Sequence, residues 1–252
     1  MTNILDFPIA VFVISLAVFW VSIWIGFRLA IRLREAEDKD RDDLNLTTNA
    51  SLTLLALIIG FSFSTALGRY DQRKNYEEEE ANAIGTEYLR ADLLSTADAA
   101  RVRALMVEYL DQRVLFYTIR DQEKLESVSK ETTRLENEMW SIVQTAANSK
   151  PTAPMILLVS GMNDVLNRAG YTQAAWWYRV PIGAWFTMAM LSVGCCLIIG
   201  FSAHRKRFLM TAFPFLVAVS FFFIADIDSP RTGLIRVIPY NLISLSESLR
   251  AQ

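Results

Sequence analysis

Residues Ser51–Leu94 read SLTLLALIIGFSFSTALGRYDQRKNYEEEEANAIGTEYLRADLL. The first part, Ala50–Leu67, has no charged side chain and is long enough to cross about 30 Å of hydrocarbon as a helix. Charged residues then begin at Arg69, but nothing breaks the helix there. Arg69–Leu94 has no proline and only Gly85. The stretch therefore predicts one helix over Ser51–Leu94, on the order of 65 Å long at 1.5 Å per residue. It crosses the membrane and continues into water.

Three further apolar runs set the frame: Pro8–Leu29, Pro181–Ser202 and Phe208–Ala225. Short connections pair spans 8–29 with 50–67 and 181–202 with 208–225. The reading is an all-α membrane protein: four transmembrane helices in two hairpins, with an extramembrane helical bundle extending helices two and three. The expected division is a hairpin over 1–67, the bundle over 68–180, a second hairpin over 181–225 and a tail over 226–252. The hydrophobic fraction of 52% and mean hydropathy of +0.25 fit a chain that spends much of its length in lipid. Trp20 and Trp24 close the first span, and Trp176, Trp177 and Trp185 flank the third, which reads as two interfacial aromatic belts.

Within the bundle, Ser95 or Thr96 reads as an N-cap with Asp98 in the first turn. The helix over 97–118 places Val102, Leu105, Met106, Tyr109, Leu110, Val114 and Tyr117 at helical period. It is expected to continue through Asp121–Glu138 toward Ala147. Asn148–Pro154 is the clearest break, and Met155–Tyr178 the next helix. The loops Arg28–Arg41 and Arg205–Arg207 hold five and three basic residues on one side of the membrane. The positive-inside rule puts them in the cytoplasm and the bundle outside, periplasmic in a bacterium.

The composition excludes much chemistry. His204 is the only histidine, so histidine-based triads and zinc-hydrolase motifs are absent. No phosphate-binding glycine loop is present, and a net charge of −2 gives no reason to expect a nucleic-acid partner. Cys195 and Cys196 are neighbours in one span and read as small packing residues. Nothing asks for an enzyme.

The segments GFSFS (60–64), RYDQR (69–73), EEANAIGTEYLRADLL (79–94) and DIDSPRTGLIRV (226–237) resemble the bestrophin-like domain family of bacterial membrane proteins, and the two-plus-two span arrangement is similar too. The resemblance covers most of the chain. It implies kinship with bestrophins: pentameric anion channels with a pore lined by the second span, a cytoplasmic helical domain and, in animals, a Ca²⁺ site after the fourth span. It thus implies a homo-oligomer that conducts a small inorganic ion, with the bundle on the cytoplasmic side of the inner membrane.

Three groups of residues are candidate sites. In the second span, Ser62, Ser64 and Thr65 offer hydroxyls to a hydrated path, with Ile58, Ile59, Phe61 or Phe63 as an apolar constriction. Gly60, Ser64 and Gly68 also form a small-residue stripe suited to tight helix packing. Beyond the membrane, Glu79, Asn82, Thr86 and Arg90 share a helix face and are vestibule candidates; a ring of Glu79 would favour cations. Alternatively the acidic run is solvated, or Glu80 pairs with Arg73 or a neighbouring helix. Asp226 and Asp228 offer carboxylates to a possible Ca²⁺, or they end the fourth helix with Asp228 paired to Arg231 or Arg236. The alternative function is a non-conducting scaffold or sensor whose bundle binds a partner protein.

Overall fold

The computed structural model describes residues 4–32, 40–202 and 207–251, with the side chains of 40–45 and 207–210 outside the description. The connection over 33–39, His204 and the start of the basic 205–207 loop therefore lie outside the described residues. Those described form eight α-helices: α1 (Pro8–Arg32), α2 (Asp40–Arg90), α3 (Thr96–Thr118), α4 (Gln122–Ser149), α5 (Ala153–Trp177), α6 (Ile182–Ser202), α7 (Arg207–Asp228) and α8 (Tyr240–Arg250), with 3-10 turns at Ile4–Asp6 and Ala91–Leu93. Four helical stretches are long and apolar enough to span a membrane, and α2 is one unbroken helix.

The chain divides into two compact units. The first comprises Met1–Arg69 and Arg179–Arg236. Here α1 packs on α6 and α7. Its buried stripe, Val11, Ser15, Phe19, Ser22, Gly26 and Ala30, repeats every three or four residues. Gly26 and Gly200 form a reciprocal close approach. A Cβ at Gly26 would run into the Leu197 carbonyl, and one at Gly200 into the Ile23 carbonyl. The two backbones meet because both side chains are missing, as small residues permit in membranes. Phe221 sits edge-on to Phe19 and Trp185, at 5.4 and 5.8 Å. The hydroxyls of Ser15, Ser22 and Ser192 donate to carbonyls of their own helices at 2.7–3.0 Å, so none is left unsatisfied in a medium without water.

The second unit comprises Tyr70–Tyr178 and Val237–Gln252. Its core joins Ile84 with Val102, Met106, Tyr109 and Leu110 of α3, Leu135, Met139 and Val143 of α4, and Leu158, Met162 and Val165 of α5. Ser95 caps α3, accepting from the Asp98 N–H at 3.2 Å and donating to its carboxylate at 2.7 Å. The expected continuation of α3 to Ala147 is corrected. Asp121 starts a new helix by accepting the N–H groups of Glu123 and Lys124 at 2.9 and 3.2 Å, which ends α3 at Thr118 without proline or glycine. The tail ends in α8, which packs on α3.

Two belt tryptophans are corrected as well. Trp176 packs in the bundle core on Phe116 and Tyr117, at 5.2 and 5.4 Å, and Trp185 is buried in the first unit. Trp20, Trp24 and Trp177 are exposed, as a belt requires.

Candidate functional site

α2 organises the candidate sites. Along it Leu55, Ser62, Ala66, Arg73, Glu77, Glu80, Ile84 and Glu87 are buried. These positions are spaced by three, four or seven, so they form one continuous stripe. Much of the rest of the membrane half is open: Leu57, Gly60, Phe61, Phe63, Ser64, Thr65, Leu67 and Gly68 are all exposed.

The proposed pore-lining residues fall on different sides. Ser62 is buried in the chain, and Ile58 and Ile59 are half-buried. Ser64 lies about 200° around the helix from Ser62 at 3.6 residues per turn, on the uncovered side with Leu57, Gly60 and Gly68. A Cβ at Gly60 or Gly68 would meet nothing within 4 Å. Among the described residues these glycines therefore pack against no other helix, in contrast to Gly26 and Gly200. Thr65 donates back to the Phe61 carbonyl at 2.9 Å.

In the second unit the buried stripe carries charge, and Arg73, Glu77 and Glu80 each have hydrogen-bonded partners. Arg73 donates to the carbonyls of Ala175 and Tyr178, at 3.2 and 3.4 Å, at the end of α5. Cations stabilise that end of a helix. Glu77 does the converse for α8. It accepts the Leu242 N–H at 2.9 Å and the Asn241 amide at 2.6 Å, where Pro239 provides no side-chain cap. Glu80 is fully buried, ion-paired to Arg113, and accepts from Thr172 at 2.9 Å and Tyr117 at 3.4 Å. Of the two sequence alternatives for Glu80, the neighbouring helix is the observed partner. Burial, the largest single effect, would lower the Arg113 pKa, but the charge of Glu80 and its hydrogen bond, together with the Tyr109 and Tyr117 phenols, raise it further, and the guanidinium stays charged. Burial raises the Tyr117 and Tyr109 phenols well above their ordinary value, so both remain neutral donors.

The vestibule candidates flank this stripe. Asn82 and Thr86 are exposed. Glu79 is ion-paired to Arg168 of α5, which also binds Asp164 at 3.2 Å. A repeat of Glu79 would therefore carry an equal positive charge beside each carboxylate. Arg90 turns back toward Glu87, at 3.6 Å.

Asp226 and Asp228 cap backbone. Asp226 accepts the N–H groups of Leu234 and Ile235 at 2.6 and 2.9 Å. Asp228 accepts the Val180 N–H with both oxygens. Among the described residues, no group of three or more His, Cys, Asp or Glu is placed to hold a metal. Arg179 brings a positive charge to this turn, donating to the Asp228 carbonyl and, at 2.7 Å, to Asp6. Ser229 and Thr232 hold the Leu5 and Asp6 carbonyls, so the N-terminal 3-10 turn is fastened to the end of α7. Gly233 is required in this turn because a Cβ would strike the Asp226 and Ser229 carbonyls.

Sequence reasoning missed Arg179 and Glu87. The partners of Arg179 are far away in the chain. Glu87 falls on the three-four spacing of Glu80, Ile84 and Ala91, and that spacing was the signal for its burial.

Fold and sites together define a multi-pass helical membrane protein. A family model, the bestrophin-like domain, matches residues 13–242, and the chain belongs to that family. No curated protein matches the chain. Among solved structures, a bacterial bestrophin homologue from Klebsiella pneumoniae is similar with a TM-score of 0.64 at 14% identity, over 95% of this chain and 98% of that one. A variant of that homologue gives 0.64 at 12% over 93% and 98%. A structure described as a membrane protein gives 0.66 at 12% over 97% and 96%. At such identity the likeness establishes the fold, and function needs its own argument.

Proposed function

We propose that the protein is a homo-oligomeric ion channel whose pathway is lined by the uncovered face of α2. The observation that carries this reading is the exposed face of Leu57, Gly60, Ser64 and Gly68, which no other part of the described chain covers. A hydroxyl and two glycines gain nothing from facing lipid. They suit close approach to further copies of the chain or contact with a water column. Phe61 and Phe63 supply bulk for a dewetting constriction on the flanks of that face. Family membership supports the same reading and favours anions in a pentamer. The Glu79–Arg168 pair weakens the main objection to anions, since Arg168, which also serves Asp164, partly offsets the acidic charge of the vestibule face.

Cysteine accessibility tests the lining. In recorded channels, Ser64→Cys should respond to a charged thiol reagent applied from the aqueous phase with a changed current. Ser62→Cys should remain protected. Protection of Ser64→Cys in a conducting oligomer would move the pathway elsewhere. Glu79→Gln and Arg168→Gln should shift the reversal potential in opposite directions, and unchanged potentials in both would remove that face from the ion path. A reporter fused after Gln252 decides which side of the membrane holds the bundle.

A further inference from the structure

Glu87 is the exception among the charged residues of the α2 stripe. Its side chain is fully buried, and both carboxylate oxygens lie without a hydrogen-bond donor. Arg90 Nη1 lies 3.6 Å from Oε2, close enough for an ion pair and too far for a hydrogen bond. The arginine is itself 38% exposed, so water weakens its hold. On the other side α5 presents Gly161. A Cβ there would run into Glu87 Oε2 and Arg90 Nη1, so the carboxylate is pressed against bare helix backbone with no room for water.

The charged groups around it are engaged elsewhere. On α2, Glu80 is held by Arg113. On α5, Asp164 is paired with Arg168, which also holds Glu79. On α3, Arg103 is paired with Asp92 of the 3-10 turn at 2.7 Å and donates to the Tyr88 carbonyl at 3.3 Å. Arg90 is thus the one cation the described structure gives Glu87, and it makes no hydrogen bond to it.

An ionised carboxylate in such a place is costly, whereas the neutral acid fits. We propose that Glu87 is a proton switch in the extramembrane bundle: protonated, it lets α5 pack on α2 at Gly161, and ionised, it forces that contact open to admit water. This inference stands on the bundle alone and does not require the channel reading. Burial pushes the Glu87 carboxyl up to about 7, against a smaller opposing pull from Arg90. The unfolded chain has a carboxyl near 4.5, so the folded state holds the proton more tightly. The packed state is therefore most stable at acid pH and loses stability as pH rises from about 4.5 to about 7, the reverse of an ion-paired carboxylate.

The test uses the full-length protein in detergent between about pH 5 and pH 9. Infrared titration should show a protonated carboxylic-acid band that disappears near neutral pH in the wild type and is missing in E87Q. Glu136 is another carboxyl that burial raises, so E136Q must keep the neutral band. Hydrogen exchange over residues 157–165, corrected for the intrinsic rate, should rise several-fold with pH in the wild type and stay flat in E87Q. Absence of a neutral-range acid band in the wild type would overturn the proposal, even if E87Q fails to fold. So would an equal rise of exchange in E87Q and the wild type.

Discussion

The carboxylate of Asp228 accepts the backbone N–H of Val180, at 3.1 and 3.0 Å from its two oxygens. The end of the fourth span is thereby fixed to the start of the third. Asp228→Ala leaves that buried N–H without an acceptor, which costs about 1–3 kcal/mol. Asp228→Asn keeps an acceptor oxygen and should cost less. Thermal unfolding of the two variants in detergent checks the order.

The same turn predicts its response to calcium. The carboxylates of Asp226 and Asp228 already accept backbone N–H groups, and calcium requires about six to eight oxygens. Isothermal titration of the wild type should give no calcium binding heat at millimolar concentration. A binding heat that vanished in Asp226→Asn would show that the turn is a calcium site after all.

Glu80 and Arg113 predict a strong asymmetry between breaking and replacing a pair. Both side chains are buried. Glu80→Ala strands Arg113 and should cost about 3–5 kcal/mol. Adding Arg113→Met to that variant should recover part of the loss, because the stranded charge is gone. A denaturant series on the single and double variants measures the recovery. If the double variant were no more stable than Glu80→Ala, the cost would lie in lost volume and not in charge.

The glycines of the spans separate into two classes. Gly26→Ala and Gly200→Ala drive a methyl into a backbone carbonyl of the facing helix and should cost about 1–3 kcal/mol. Gly60→Ala and Gly68→Ala meet open space among the described residues, and alanine is the better helix former by about 1 kcal/mol. Their effect should appear in oligomer assembly or conductance and not in loss of the fold. Thermal unfolding alongside size-exclusion chromatography separates the two effects.

Much of the fold was legible because it depends on local signals. Unbroken apolar runs marked the spans, and the absence of any breaker after Leu67 marked α2 as one helix. Ser95 and Asn148–Pro154 marked helix ends. The start of α4 was hidden because the Asp121 cap interrupts a region with no proline or glycine. The sites were less legible because their partners are remote in sequence. Glu77 caps α8 across 165 positions, and Arg179 reaches Asp6 across 173. The acidic run Glu77–Glu80 reads as a solvated face, yet helical spacing puts Glu77 and Glu80 in the buried stripe and leaves Glu78 exposed. Ser62 and Ser64 look alike in sequence, and only the packing around α2 separates them.

The most direct test is to reconstitute the purified oligomer in planar bilayers and record in asymmetric KCl. The account predicts reproducible unitary currents, with an amplitude that falls when Ser64 is replaced by phenylalanine. Silence across voltage and pH, with the oligomer intact, would contradict it and leave the bundle as the docking part of a non-conducting membrane scaffold.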